Sequence, residues 1–322
     1  MSCFKLPIGL SHDIKAMIWK FWWGQRGDRR KNHWKSWKSL CQPKSKGGMG
    51  FQELTKFNEA MLGKQVWRLI HDTDSLFYRV FKAKYFPNGS IVEARMKSGS
   101  YAWKSILRAR KVINLGAKWR VGDGKFVHIF KDNWLPGEGN GRIALAPNLL
   151  NNEAVVSQLI DQDTKWWNSS LINQIFYPFE AEKIKSIPIC SFTQPDLLFW
   201  PSTNYGNFVV KSGYHLLCAD EDSELASSVS YGATSRSFWS RLWKMNVPNK
   251  VKTFMWGACS DSLPTLKKLV QNTIASSPLC ASFLQAPKDV LHALWGCTNL
   301  LQDWSLDFKE LVIVNCHFCS FA

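Results

Sequence analysis

The sequence predicts an α+β fold, with a helical N-terminal region, then modules that contain hairpins, then a small and mostly helical C-terminal domain. Three observations predict this class. Apolar residues recur at helical spacing before residue 115. Strand-like runs then flank two turns, Gly122-Asp123-Gly124 and Asn204-Tyr205-Gly206. Helical patterns resume after residue 207, so short strands and helices occupy different parts of the chain.

The N-terminal third is predicted to be helical with a loop near its middle. A Lys46-Gly47-Gly48-Met49-Gly50 run must form the loop, because glycines interrupt both helices and strands. Thr55 is a candidate N-cap, since its hydroxyl can accept a hydrogen bond from a free amide of the first turn. We predict helices over 11–23, 56–71, 75–84 and 101–113.

The middle of the chain is predicted to hold two hairpins. Lys118–Val121 would pair with Phe126–Phe130 through an Asp-Gly turn. Leu197–Trp200 would pair with Phe208–Val210 around Asn204-Tyr205-Gly206. Between the hairpins, the sequence predicts a connector over 133–152 and helices over 153–161 and 180–186.

The last third is predicted to be helical after an insertion. Ser212 is expected to cap a helix that ends near Leu217. Residues 220–237 are acidic and then rich in serine, which is typical of a flexible insertion. We predict further helices over 237–245, 249–259 and 265–271.

Charge is distributed unevenly along the chain. The 322 residues carry a net charge of +16, yet residues 1–120 alone hold 25 Lys and Arg against 7 Asp and Glu. The remainder is therefore close to neutral. A basic field at one end attracts nucleic acid or an anionic surface. The 17 tryptophans argue against wholesale disorder, because such large rings need burial or a partner.

Two classes of protein are excluded by simple patterns. Polar breaks at Ser11, His12 and Asp13 interrupt any signal-peptide core, and no apolar run approaches the length of a membrane span. The nine cysteines are odd in number and scattered, which does not suggest a disulfide framework. We expect a protein with reduced thiols in the nucleus or cytoplasm and no membrane partner.

One basic and aromatic segment predicts nucleic-acid binding. Cations neutralise phosphates, and indole rings can stack on bases. The alternative is that the rings pack in a core while the cations are merely solvated, and we expect at least half of Trp22, Trp23, Trp34 and Trp37 to be packing residues. The candidate binding residues here are Arg26, Arg29, Arg30, Lys31, Trp34, Lys35, Lys38, Lys44 and Lys46.

Several motifs occur in the order and spacing of a known family. The segments include HWKSWKSLCQPKSKGGMGF at 33–51, FNEAMLGKQVWRLI at 57–70, WRVGDGKFVHIFKDNWLP at 119–136 and WKMNVPNKVKTFMW at 243–256. Together they resemble plant non-LTR retroelement reverse transcriptases, in the region downstream of the polymerase palm. The resemblance covers most of residues 19–300.

This resemblance implies a zinc-binding domain from about Phe208 to Cys297. The family pattern is C-x2-C followed by H-x4-C. Cys280 matches the first cysteine, while His292 and Cys297 match the second half, but Phe283 occupies the second cysteine position. A structural zinc needs four ligands, so water, Cys259, Cys316 or Cys319 would have to complete the site. The alternative is that the site has lost its metal.

The resemblance also implies a division of the chain, and the sequence itself adds basic residues in its first part. We predict a basic helical region at 1–115, equivalent to a thumb or connection, and a mixed α/β region at 116–206. A zinc-binding-like domain at 207–300 and a tail at 301–322 would follow. The basic helix near residue 104 adds the candidate nucleic-acid ligands Arg108, Arg110 and Lys111.

The resemblance implies an RNA-directed DNA polymerase family, but the catalytic carboxylates are missing. Nucleotidyl transfer needs adjacent aspartates to hold two metal ions, and this chain contains no Asp-Asp pair. Three interpretations follow. The chain is a non-catalytic protein that binds RNA or DNA without sequence preference, a structural or interaction protein or inactive relic, or an accessory part of a polymerase whose palm is on another chain.

Overall fold

A computed structural model shows an α+β protein and confirms the predicted class. The structure describes residues 2–24, 32–96, 99–137, 141–143, 150–151, 153–161, 163–189, 194–225, 233–281, 283–297 and 300. The described residues divide into two compact units. The first unit comprises Met1–His12 and Leu54–Ser228, and the second comprises Asp13–Glu53 and Val229–Ala322. The predicted division into four consecutive segments stays a prediction.

Helices dominate both units. Short 3₁₀ turns occur at Lys44–Lys46 and Val156–Leu159, and a π-helical turn occurs at His292–Gly296. The α-helices of the described part are α1 (Ile8–Trp22), α2 (Trp37–Cys41), α3 (Leu54–His71), α4 (Leu76–Tyr85), α5 (Tyr101–Arg108), α6 (Arg110–Gly116), α7 (Ser169–Ile175), α8 (Pro178–Lys185), α9 (Val210–Leu225), α10 (Ala233–Lys244), α11 (Asn249–Cys259) and α12 (Leu266–Gln271).

Side-chain caps fix several helix starts. The hydroxyls of Ser75, Ser100 and Thr265 accept hydrogen bonds from the first turns of α4, α5 and α12. The predicted cap at Thr55 is wrong, because α3 already begins at Leu54. The predicted helix over 101–113 is interrupted at Ala109, where α5 ends and α6 begins.

Neither predicted hairpin forms. Strand β1 (Lys118–Arg120) pairs antiparallel with β2 (Leu197–Phe199), and the two are far apart in sequence. The amides of Gly122, Gly124 and Phe126 instead donate to the carboxylate of Asp196, at 2.7, 3.0 and 2.9 Å. Those amides are therefore occupied, and the segment after the turn cannot return as a paired strand.

The second predicted hairpin fails for a different reason. The turn is present, since the Trp200 amide donates to the Gly206 carbonyl and Gly206 has a φ of 68°. The chain then enters α9 at Val210 instead of forming a strand. Ser212 consequently lies inside the helix and is not its cap. Its hydroxyl donates to the Val209 carbonyl and accepts from the Trp200 indole.

The first unit contains two hydrophobic cores. The first core packs α3, α5, α6 and α9 around the fully buried rings of Trp103, Trp200 and Phe208. The second core packs buried side chains that lie between Val121 and Ile184 in sequence, among them Val127 and Ile129.

The helix predicted over 153–161 is shorter in the structure. Only the 3₁₀ turn Val156–Leu159 forms there, and α7 was not predicted.

The second unit has a core built mainly from tryptophans. Trp37 and Trp256 are buried there, and the partly buried rings of Trp19, Trp22, Trp239 and Trp243 pack against them. The Trp256 indole donates to the Gly47 carbonyl at 2.8 Å. Gly47 has a φ of 82°, and a Cβ there would lie 2.9 Å from the Trp239 ring, so the predicted loop needs its glycine.

The predicted flexible insertion over 220–237 is wrong where it can be compared. α9 continues to Leu225 and α10 already begins at Ala233. Residues 226–232 lie outside the described part. α11 and α12 match the predicted bounds closely. In the described residues, no helix combines the length and hydropathy needed to cross a bilayer.

The second unit also holds a small hairpin that was not predicted. Strand β3 (Leu279–Cys280) pairs antiparallel with β4 (Phe283–Pro287). Leu279 lies opposite Pro287, and Cys280 lies opposite Phe283. This hairpin is followed closely by the π-helical turn at His292–Gly296.

Candidate metal centre and basic surface

Cys280, His292 and Cys297 come together in the second unit. Cys280 ends β3, His292 begins the π-helical turn, and Cys297 follows that turn in an extended conformation. Their ligand atoms all lie within 4.8 Å of one another, and both thiols are buried. The three residues that we predicted as metal ligands therefore lie close together in the structure.

The π-helical turn explains how a histidine and a cysteine in the H-x4-C spacing can approach the same point. In an α-helix, residues five positions apart are rotated by about 140° around the axis and face different directions. A π-helix closes its hydrogen bonds from residue i to i+5 and appears mostly as single turns at functional sites. The wider turn is compatible with His292 and Cys297 facing the same point. The amide of His292 is held by the carboxylate of Asp289 at 2.9 Å.

The donor atoms fit a tetrahedral thiophilic ion. The two Sγ atoms are 3.9 Å apart, too far for a disulfide. With zinc–sulfur bonds of about 2.3 Å, two ligands of a tetrahedron lie about 3.8 Å apart. The His292 Nε2 atom is buried and has no hydrogen-bond partner among the described residues. An imidazole nitrogen left in that state costs free energy, and a metal ion would satisfy it.

The fourth ligand is not found among the described residues. The cluster contains only the three residues already named, so Cys259 does not belong to it. Burial raises the pKa of the Cys259 thiol, which favours its neutral form over the thiolate that metals bind. Cys316 and Cys319 lie outside the described part. Position 283 pairs with Cys280 across the hairpin, but it carries phenylalanine.

The predicted basic residues of the second unit are partly accessible. Arg26, Arg29, Arg30 and Lys31 lie outside the described residues. Lys38, Lys44 and Lys46 are exposed, and the Lys44 ammonium lies 4.6 Å from the centre of the Trp243 ring. Lys35 is half-buried, and its pKa is lowered first by burial and then by the charge of Lys268, with Asp261 acting in the opposite direction.

The predicted basic residues of the first unit have different local roles. Arg108 is exposed near the end of α5. Arg110 donates from Nη1 to the carbonyls of Ile91 and Val92, at 3.0 and 2.6 Å, and thereby anchors that loop. The exposed ammonium of Lys111 pairs with Glu59 at 3.1 Å. Within the described part of the chain, Arg108 is the one of these three residues whose cationic group makes no hydrogen bond or ion pair.

Two of the four tryptophans of the basic segment are structural. Trp22 packs against Phe51 and Trp256, with ring centroids 5.1 and 6.5 Å apart. Trp37 is buried and donates its indole N–H to Glu53 at 3.0 Å. Two of the four rings thus belong to the core, as expected. Trp34 is half-buried, and its role in binding stays a prediction.

Sequence reasoning did not single out Lys118 and Arg120. Both lie within residues 1–120, which carry the positive charge of the chain. They occupy alternate positions of β1 and therefore share one face of the small sheet. The alternation of cationic residues around Trp119 was a signal for that arrangement. Its strand partner could not be known from local sequence.

Comparisons with known proteins agree with the motifs. The family described as zinc-binding in reverse transcriptase matches residues 208–304. A "Putative ribonuclease H protein" of Arabidopsis thaliana is 26% identical over 310 residues, which are 94% of this chain and 48% of that protein. An "Uncharacterized mitochondrial protein" of the same plant is 36% identical over 140 residues, which are 43% of this chain and 91% of that protein. The chain thus spans about half the length of the first relative.

Proposed function

Because the chain belongs to the plant retroelement reverse-transcriptase-like proteins, we propose that it binds the backbone of RNA or DNA without catalysing a reaction. The observation that carries this proposal is the charge asymmetry: residues 1–120 hold 25 Lys and Arg but only 7 Asp and Glu. Contacts to phosphates supply affinity and position a nucleic acid without reading its sequence. The partner is therefore RNA or DNA with little sequence preference.

Exposed cations of the second unit support backbone capture. Lys38, Lys44 and Lys46 lie near one another in sequence, around a short 3₁₀ turn that the tryptophan core holds in place. A fixed loop presents its charges at lower entropic cost than a mobile one. We assign the same role to Arg26, Arg29, Arg30, Lys31 and Lys35, and in the first unit mainly to Arg108. Arg110 and Lys111 would contribute to the local field.

We further propose that zinc is held by Cys280, His292 and Cys297. Two thiolates and one imidazole favour zinc over magnesium. The ion would act structurally, linking the β3–β4 hairpin to the π-helical turn. A structural zinc site contributes to folding free energy, because its ligands are brought together only in the folded state. The chain's own contribution is to preset the three ligand atoms within 4.8 Å of one another.

A second candidate function is that of a structural protein or inactive relic. The observation that favours it is Phe283 at a position where the family has a cysteine ligand. A folded protein that contains no zinc and binds neither RNA nor DNA would support this alternative. Polymerase activity that co-purifies with the chain would instead indicate an accessory subunit whose palm lies elsewhere.

A charge-matched pair of variants tests the proposed function. The first variant combines Lys38→Gln, Lys44→Gln and Lys46→Gln; the control combines Lys165→Gln, Lys183→Gln and Lys211→Gln, which are also exposed. Both lower the net charge by the same amount. Affinity for a 20-nucleotide RNA and for duplex DNA at low salt should fall strongly in the first variant and slightly in the control. Equal losses would mean that net charge alone, and not this loop, attracts nucleic acid.

A further inference from the structure

A cavity of about 530 Å³ opens beside the β1–β2 sheet of the first unit. The motif at 119–136 supplies two of its walls, Trp119–Gly122 and Trp134–Pro136, and residues near 186–188 and 194–199 supply the others. Its volume lies within the range of pockets that hold small organic ligands. Neither the zinc site nor the basic loop accounts for it.

The sheet gives one wall of the cavity an amphipathic pattern. Lys118 lies opposite Phe199, and Arg120 lies opposite Leu197. Cross-strand partners in an antiparallel pair share a face, so two cations and two apolar side chains stand together. The Arg120 guanidinium lies 5.7 Å from the centre of the Phe199 ring. Phosphate ligands and flat aromatic rings would both find partners on this face.

The electrostatics of the cavity favour an anion. None of the described residues that line it is acidic. The neighbouring Asp196 is engaged by three backbone amides of the loop at 122–126. The Lys118 ammonium donates to the Gly137 carbonyl at 2.8 Å, and burial lowers the pKa of Lys118. A bound anion would offset that desolvation.

The apolar part of the lining is partly open. Leu197 is 45% exposed, Phe199 is half-buried, and Pro188 and Pro195 are exposed. A flat heteroaromatic ring could lie against Phe199 and Leu197, as bases do on the aromatic platforms of proteins that bind single strands. Trp134 is buried and donates its indole N–H to the Ile129 carbonyl, so it forms the floor and is not a stacking surface.

From these observations we infer that the cavity holds one nucleotide of a single-stranded nucleic acid, with its base against Phe199 and Leu197 and its phosphate at Lys118 and Arg120. This inference rests on the proposed function, since it names where a base would be held while the basic loop follows the backbone. An extended acidic peptide would use the two cations but would gain little from a flat ring surface.

Binding of an unlabelled uridine trinucleotide to the full chain tests the inference, measured by isothermal titration. Such a probe is too short to span distant basic sites. Arg120→Gln and Phe199→Leu should each weaken binding at least about five-fold, the lower end expected for one lost stacking or phosphate contact. The matched control is Arg79→Gln, an exposed arginine of α4 outside the cavity. It should change affinity less than about two-fold by the same measure.

Photo-crosslinking with a 4-thiouridine trinucleotide locates the bound base independently. Crosslinks to peptides that contain residues 118–122 or 194–199 support the inference. Crosslinks only elsewhere, or equal affinities of Arg120→Gln and Arg79→Gln, overturn it. So does a glutamate hexapeptide that binds as tightly and is insensitive to Phe199→Leu. Thermal unfolding of each variant verifies that the sheet is intact.

Failure of this inference is distinguishable from failure of the proposed function. If the chain binds a 20-nucleotide RNA with a steep salt dependence but the cavity variants behave like Arg79→Gln, only the cavity assignment is wrong. If neither the 20-nucleotide RNA nor the trinucleotide binds at low salt, the proposed function fails, and this inference fails with it.

Discussion

Replacing Phe283 with cysteine should strengthen zinc binding. In the β3–β4 hairpin, position 283 is the strand partner of Cys280, and it is the position where the family pattern has its second cysteine. The two existing thiols are already 3.9 Å apart, close to the edge of a zinc–sulfur tetrahedron. We therefore expect Phe283→Cys to supply the fourth ligand.

The size of the effect follows from the free energy of complete sites. Four-ligand structural zinc sites bind with about 10–16 kcal/mol near neutral pH, so one ligand accounts for roughly 3 kcal/mol. That difference corresponds to about a 100-fold change in affinity. Competition with a chromophoric chelator at pH 7 measures it directly. Affinity should also fall as the pH is lowered, because zinc binds deprotonated ligands.

Phe283→Ser is the matched control for this prediction. It removes the same aromatic side chain and introduces a residue of similar size to cysteine, but it adds no thiolate. If Phe283→Cys and Phe283→Ser bind zinc equally, position 283 does not face the metal site, and the geometry argued from the hairpin register is wrong.

Three further predictions concern packing, the Asp196 loop and pH. Gly116→Ala places a Cβ 2.4 Å from the Trp200 ring, so it should lower the free energy of unfolding in urea by about 1–3 kcal/mol. The control Gly9→Ala puts its Cβ in open space and should not destabilise the protein. Equal effects of the two substitutions would contradict the packing. Asp196→Asn should cost about 1.5–3 kcal/mol, because three amides lose a charged acceptor; an unchanged unfolding midpoint would refute this. Burial, and then the charge of Lys64, lower the pKa of His71, so the folded state favours its neutral form. The free energy of unfolding should therefore fall as the pH drops below about 6.5. His71→Gln should reduce the slope of unfolding free energy against pH in that range. A slope identical to the unmodified protein's would contradict the assignment.

Local signals in the sequence were sufficient for several elements. α11 has the predicted bounds, and α12 begins one residue after the predicted start, at Leu266. The candidate metal ligands could be selected because the family pattern fixes their spacing along the chain. The family resemblance itself is confirmed by the relatives that match the chain.

Non-local contacts account for the predictions that failed. The partner of β1 lies near residue 198, and the loop at 122–126 is held by Asp196. Local turn chemistry favoured a hairpin over 118–130, but no short-range pattern reports a carboxylate some 70 residues away in sequence. The π-helical turn was equally hidden, since nothing in HALWG distinguishes it from an ordinary helix.

The basic segment shows how one composition can serve two purposes. Its tryptophans were candidates for base stacking, yet Trp22 and Trp37 belong to the core of the second unit. Rings of this size contribute most when buried, so packing takes precedence. The lysines at 38, 44 and 46 remain exposed. The charge pattern thus retains its functional interpretation, while Trp22 and Trp37 are structural.

The most direct test of the account is the salt dependence of binding to single-stranded RNA and to duplex DNA. Log affinity should fall steeply and linearly with log salt concentration, because bound phosphates release counterions. Combined replacement of Arg26, Arg29, Arg30 and Lys31 by glutamine should flatten the slope by about 3–4 units. A folded protein that binds neither nucleic acid at low salt, or binds with no salt dependence, would contradict backbone capture.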